Sequence, residues 1–336
     1  MSTASLASRR LGRRFGTTSI VPWQVAVPAV VVFGLLWVLP ELHDFGFYYT
    51  SLGSLALIYV VAGLGWNILG GFVGQVSFGH AVFFGAGAYV AARSVNRGWP
   101  WPVALALGSL AAVGYGLIWG YPTLRLRGPY FCIATIGVGE ATRIAVVNWS
   151  WFSGGASGYK LPYYTFSPLR DYHGALILAM IAFAVHLVVR RTKFGAGLAA
   201  IRGDVEAASA VGVNPARYQV YALAASAALV GLAGGWYGHH QQYVEPNDVF
   251  GFELSVALIL IPLLGGIGTI WGPMLGAFVY VVVKEFLNTH VRNAGLSYLI
   301  YGLIVVVIIL AEPLGLVGIG RLIRHKLRRH LYRART

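Results

Sequence analysis

Three stretches of this chain, Val21–Pro40, Ser51–Gly70 and Tyr218–Gly238, run without a single charged residue. A helix needs about 20 apolar residues to cross a hydrocarbon core of about 30 Å. Helices buried in soluble cores are usually shorter and polar on one face, so uninterrupted runs of this length point to a bilayer. Composition agrees, with 57% hydrophobic and 11% charged residues against about 25% charged in soluble domains. The expected fold is an all-α, polytopic transmembrane helical bundle.

Ten apolar segments can be marked, near 21–40, 51–69, 74–92, 100–120, 129–147, 172–190, 218–238, 252–271, 273–287 and 296–311. The third, fifth and ninth are short or broken by glycine, which sets the expected number of helices at about 8–10. The chain then divides into a basic N-terminus (1–20), a membrane domain (21–311) enclosing a polar loop (190–217), and a basic tail (312–336).

The net charge of +14 does not indicate nucleic acid, because the basic residues sit in clusters between apolar runs. Arg9, Arg10, Arg13 and Arg14, then Arg125 and Arg127, the 190–217 loop and the tail all fall on one side of the alternation. Only Arg93, Arg97, Lys160, Arg170 and Arg292 fall on the other. Cytoplasmic loops carry the excess of Lys and Arg, so both termini are expected inside. The run after Arg14 ends in Leu39-Pro40-Glu41, without the small-residue cleavage site of a signal peptide. It is expected to be an uncleaved first span. Cys132 stands alone, which excludes an internal disulfide.

No engine is visible. The lysines are followed by Leu161, Phe194, Glu285 and Leu327, so none completes the phosphate-binding G-x-x-x-x-G-K-[ST]. No nucleophile–base, redox or metal-ligand spacing appears, and no cofactor is expected. The 44 glycines do carry information, since small residues let membrane helices approach closely and permit broken helices beside a cavity. Gly70–Gly79 and Gly265–Gly276 are the candidate breaks. They also align loosely with each other, as a parallel internal repeat would, although glycine-rich sequences align easily. Among polar residues in apolar surroundings, Gln75, Ser77 and His80 stand in the third segment, where a helix would put Ser77 and His80 on one face. Glu140 and Arg143 share that spacing in the fifth segment. An intramembrane charge costs at least about 2.5–3.5 kcal/mol, so mutual pairing is the expected arrangement.

In the 190–217 loop, Leu198, Ile201, Val205 and Ala208 recur at helical spacing. Gly212 suits a helix stop and Asn214-Pro215 prevents continuation. A short amphipathic helix is expected, resting on headgroups or docking into a partner.

Several stretches together resemble a known family. They are Gly63-Leu-Gly-Trp-Asn-Ile-Leu-Gly-Gly-Phe-Val-Gly-Gln-Val-Ser-Phe-Gly-His80, Gly128-Pro-Tyr-Phe-Cys-Ile-Ala-Thr-Ile-Gly-Val-Gly-Glu140 and Thr192-Lys-Phe-Gly through Glu206-Ala-Ala-Ser-Ala-Val-Gly212. Gly265-Gly-Ile-Gly-Thr-Ile-Trp-Gly-Pro273 and the late Glu312-Pro313-Leu-Gly-Leu-Val-Gly318 complete the set. The chain resembles the permease subunits of branched-chain amino acid ATP-binding cassette importers, specifically the M-type subunit of Liv-type systems. The resemblance implies a multi-pass protein of the bacterial inner membrane. Its partners would be a second homologous permease, two ATPase subunits and an extracytoplasmic binding protein. It also implies that Ile201, Arg202, Asp204, Glu206, Ala207, Ala208 and Gly212 form a coupling helix seated in an ATPase groove. Gln75, Ser77, His80, Tyr130, Thr135, Glu140 and Gly268 are the candidate pathway residues. Cys132 and the aromatic run after His80 depart from the family pattern and leave the substrate open. A stand-alone channel or ion-coupled secondary transporter is the competing reading; it would need membrane acids, of which only Glu140 sits mid-span.

Overall fold

The computed structural model describes residues 22–42, 46–161 and 167–291, with isolated residues up to 318. The described residues divide into two units, one ending before Gly46 and one beginning there. The first holds α1 (Pro22–Leu42), apolar on every side, with Pro28 and Pro40 inside it.

In the second unit α2 (Gly46–Trp66) runs on as a π-helical turn, Asn67–Val73, that stops at Gly74. Then follow α3 (His80–Asn96), α4 (Trp101–Tyr115), α5 (Pro129–Asn148) and α6 (Pro168–Arg191). The loop helices α7 (Lys193–Gly203) and α8 (Val205–Ala210) precede α9 (Pro215–Gln241). A short α10 (Pro246–Phe250), α11 (Phe252–Gly265) and α12 (Gly272–His290) follow. Strands β1 (Tyr159–Lys160) and β2 (Tyr243–Val244) pair antiparallel. Six described helical segments are long and apolar enough to cross a membrane, and α11 is a shorter apolar one. The expected segments up to 287 correspond to helices; the last, 296–311, lies almost wholly outside the described residues.

The core forms around α2, whose residues from Ala56 to Trp66 are all buried. It packs against α6, α9, α11 and α12, while α3, α4 and α9 pack on one another. At the α3–α9 crossing the backbones touch through glycine, because a Cβ on Gly87 would lie 2.0 Å from the Gly231 carbonyl oxygen. Small residues at such crossings supply the van der Waals contact that drives association where lipid is as apolar as leucine. By contrast α5 buries only Phe131, Thr135 and Val146.

At the sheet end, Asp171 is wholly buried and takes hydrogen bonds from Nδ1 of His239 (2.9 Å) and His240 (2.7 Å). This ties the start of α6 to the end of α9. Arg93 pins the adjoining loop by donating to the carbonyls of Trp151 (3.0 Å) and Phe152 (2.7 Å).

Two expectations change here. The third segment becomes helical only at His80, because Gly74 adopts φ +86 and breaks the chain. Gln75 and Ser77 therefore lie in a non-helical linker, and Ser77 and His80 do not share a helical face. The single loop helix is two, since Asp204 adopts an extended conformation and caps the second.

Candidate functional site

Both glycine breaks lie at the end of the bundle that carries α7 and α8, and side chains join them. Asn67, the first residue of the π-turn, accepts from the Gly268 amide (2.8 Å) and donates to the Thr269 carbonyl (3.1 Å). Its amide nitrogen also lies 3.3 Å from Nε2 of the buried His186. The breaks need glycine for two reasons. Gly268 adopts φ +72, which strains any L side chain. A Cβ on Gly71 would lie 1.9 Å from Asn67 Oδ1.

Two arginines reach these breaks from the polar loop. Arg190, at the end of α6, donates to the Gly268 carbonyl. Arg202, in the last turn of α7, donates to the Gly71 carbonyl. The last carbonyls before a helix stop lack intrahelical partners, and a guanidinium is a strong donor to them. A Cβ on Gly74 would meet Arg202 Cγ at 3.0 Å. Beside this junction opens a cleft of about 990 Å³, lined among others by Gly74, Gln75, Arg125, Arg202, Val205 and Gly212.

The loop helices divide their residues cleanly. Leu198, Ile201 and Ala208 are buried, so the expected apolar face points inward. Asp204 caps α8 by accepting from the amides of Glu206 (2.8 Å) and Ala207 (2.9 Å). Gly212 stops it at φ +86, and Asn214 caps α9 by accepting from the Arg217 amide. Glu206, Ala207, Ala210 and Val211 are left exposed, the last at 76%. Of the coupling candidates, Ile201 and Ala208 hold the helices in place, while Glu206, Ala207 and Gly212 face outward.

The pathway candidates fall into separate groups. Phe78 donates its amide to Thr135 Oγ1 (3.1 Å), Gly79 its amide to Ser77 Oγ (3.3 Å), and His80 Nε2 lies 2.9 Å from Ser226 Oγ. His80 and Ser77 are buried and serve the junction between the linker and α3. Glu140 pairs with Arg143 as expected, at 2.5 Å, and Arg143 also donates to Asn247 Oδ1 (2.7 Å). Gln75 lines the cleft, Gly268 sits in the second break, and Tyr130, 73% exposed, lies apart.

Asn247 belongs to the segment that joins α9 to α11. The Tyr89 hydroxyl donates to the Val244 carbonyl (3.2 Å), and further on the Ala81 amide donates to Ser255 Oγ (3.1 Å). Between those two points the chain follows α3 for eight residues, about 12 Å at 1.5 Å per residue. Phe250 packs where a Cβ on Gly85 would lie 2.5 Å from its ring. The segment is thus the first part of a span that continues through α11 to the second break, and α11 starts inside the bundle. Asn67, Arg190 and Asn247 were not singled out from sequence; an asparagine inside the apolar run Ser51–Gly70 was the available signal for the first.

Comparison with known proteins agrees with this architecture. Residues 48–309 match the family model described as "Branched-chain amino acid transport system / permease component". The high-affinity branched-chain amino acid transport system permease protein LivM of Escherichia coli K12 is 28% identical over 334 residues, 90% of this chain and 77% of that protein. A probable LivM of Methanocaldococcus jannaschii is 27% identical over 64% of this chain and 67% of its own length. LivH of E. coli K12 is 22% identical over 79% of this chain and 92% of that protein. No solved structure matches. With the family model covering most of a multi-helix bundle broken at two joined glycine turns, the chain belongs to the branched-chain amino acid transport permease family.

Proposed function

We propose that this chain is a permease subunit of an ATP-binding cassette importer for branched-chain or similar small amino acids. A second homologous permease completes the pathway, two ATPase subunits power it, and an extracytoplasmic binding protein delivers substrate. The named relatives are branched-chain amino acid permeases, which supports the substrate class. Both termini lie in the cytoplasm of a bacterial cell with the α7–α8 loop, and β1–β2 faces outward.

The observation that carries the reading is the hydrogen bond from Arg202 on α7 to the Gly71 carbonyl in the π-turn of α2. The exposed ridge of α8 offers a partner Glu206 and Ala207, and the adjoining helix is fastened to a break in the central span. A partner that moves the loop therefore moves the break. Such a push biases the pathway only if its interaction differs between two states. The Glu140–Arg143 pair leaves that acid neutralised, which weighs against an ion-coupled carrier.

The test uses the full complex, purified and reconstituted in proteoliposomes. Substituting Glu206→Arg with Ala207→Trp should abolish co-purification of the ATPase. Arg202→Ala should retain the ATPase but lose most ATP-driven leucine uptake. ATP-driven uptake at the wild-type rate by Arg202→Ala sinks the coupling route; uptake by this chain alone, without an ATPase, sinks the importer.

A further inference from the structure

The cleft beside the loop junction has no part in the coupling route. It opens to about 990 Å³ between the residues that follow α4, the π-turn of α2, the loop helices and the start of α9. Pockets for small ligands run from about 300 to 1,000 Å³, so it is roomy enough to hold one. Three arginines, Arg125, Arg127 and Arg202, line it, and among the described residues no acidic one does. Arg202 already donates to the Gly71 carbonyl. The other two stand in the turn that Gly128 ends at φ +57, and both are held loosely. The Arg125 guanidinium lies 5.3 Å from the Tyr121 ring centroid, a cation–π contact that occupies none of its N–H donors. Arg127 meets Glu206 at 3.9 Å, with both side chains mostly in solvent; an exposed pair of this kind contributes little. Asn214, Pro215 and Ala216 bring the N-terminus of α9 to the same wall, where a long helix carries partial positive charge.

The wall selects the class of ligand. A free amino acid is a zwitterion and needs an acid for its ammonium, which this cleft does not offer. A ligand of net negative charge fits it. What adjoins the cleft indicates the source of that charge. Beyond α4 the chain makes a second π-helical turn, Gly116–Gly120, and one further helical turn from Tyr121. Leu110 and Ile118 are 65% and 68% exposed on this stretch, and Trp119 and Tyr121 about half. From Leu110 to Tyr121 is about 16 Å at 1.5 Å per residue, one leaflet's share of a hydrocarbon core of about 30 Å. Trp and Tyr favour the level of the headgroups, and Tyr121 itself lines the cleft. Acyl chains lying on this apolar surface would bring a headgroup to the arginines, and basic pockets between helices on the cytoplasmic side suit anionic headgroups.

We propose that the cleft is a binding site for an anionic phospholipid, with its phosphate between Arg125 and Arg127 and its acyl chains along the exposed side of α4. Drawing Arg127 to the phosphate releases Glu206, which stands on the ridge of α8 offered to the ATPase. The inference takes from the importer reading only that this end of the bundle faces the cytoplasm.

The probes are phosphatidylglycerol and phosphatidylcholine, each with a photoreactive diazirine near the head of one acyl chain. They are added in separate preparations to the full complex in phosphatidylcholine proteoliposomes. After illumination, peptide mapping should place phosphatidylglycerol label within 117–130 or 201–216, severalfold above the phosphatidylcholine label. Excess unlabelled phosphatidylglycerol should displace it, whereas inorganic phosphate should not. Arg125→Gln with Arg127→Gln should cut the label by about tenfold or more, roughly the weight of two basic residues near a membrane surface. Arg125→Lys with Arg127→Lys should keep most of it. Equal labelling by the two lipids overturns the site without relying on any variant's folding. So does displacement by inorganic phosphate, which makes the ligand a soluble anion, and so does absence of label from both segments, which means that a partner subunit covers the cleft. ATP-driven leucine uptake is read on the same vesicles. Its absence beside lipid-selective labelling defeats the importer alone, and its presence without selective labelling defeats the site alone.

Discussion

Replacing Gly87 by alanine adds one methyl group at the tightest place in the α3–α9 crossing. Its Cβ would lie 2.0 Å from the Gly231 carbonyl oxygen, 2.6 Å from the carbonyl carbon and 2.7 Å from the Cα. All three are backbone atoms, so no rotamer change relieves the contact and the helices must separate. Reaching an ordinary approach of about 3.4 Å or more means a shift of roughly 1.4 Å, and a gap of even 0.5–1 Å forfeits a quarter to a half of each neighbouring dispersion contact. Overpacking costs about 1–3 kcal/mol; backbone on both sides puts this case at about 3. Alanine returns about 1 kcal/mol through helix propensity, leaving a net loss near 2. Gly114→Ala in α4, where an added Cβ meets nothing within 4 Å, should instead gain up to about 1 kcal/mol. The assay is equilibrium denaturation of the detergent-solubilised protein, with both variants measured beside the wild type. Equal stabilities for the two variants would show that α3 and α9 do not approach through their backbones.

Valine at Gly268 or Gly74 forces a branched side chain into φ +72 or +86 and towards Arg202, so ATP-driven uptake should fall severalfold while the amount of folded protein changes little. Asp171→Asn replaces a carboxylate that accepts from both His239 and His240. A carboxylate can only accept, so Nδ1 carries the proton on both rings, and the amide must oppose one of them with its own donor. About 2 kcal/mol of stability should be lost, read as a lower midpoint in thermal denaturation.

Local chemistry was legible and long-range partnership was not. Gly212, Asn214 and Pro215 mark the loop-helix stop and the start of α9 because glycine in a left-handed turn, a capping side chain and a first-turn proline act within a few residues. The Glu140–Arg143 pair was equally visible, since i, i+3 neighbours on a helix meet. Asn67 and Gly268, by contrast, are 201 residues apart and Arg202 and Gly71 131. Nothing in either local pattern names the other. The third segment misled for a related reason. Apolar residues recur from Val73 through Phe84 with no charge among them, and hydropathy registers burial without distinguishing a helix from a linker held by Thr135 and Ser77.

Taken together, the two groups of contacts lie on one element. Gly71 stands 12 residues beyond Tyr59 along α2, about 18 Å of helix at 1.5 Å per residue. Buried from Ala56 to Val73, that stretch is packed on all sides and would move as a rod. A displacement of Arg202 by a partner at α8 would be taken up first in the π-turn that holds Gly71. A π-turn is a natural place for two settings, since one residue of slack separates it from regular helix. This places the adjustable part of the span at the loop end, under Arg202, and the rigid part beside Tyr59, whose ring meets Tyr280 edge to face. Sequence shows the slack as Gly70-Gly71 and the ring pair as two distant tyrosines. Only the fold shows that a single helix connects them.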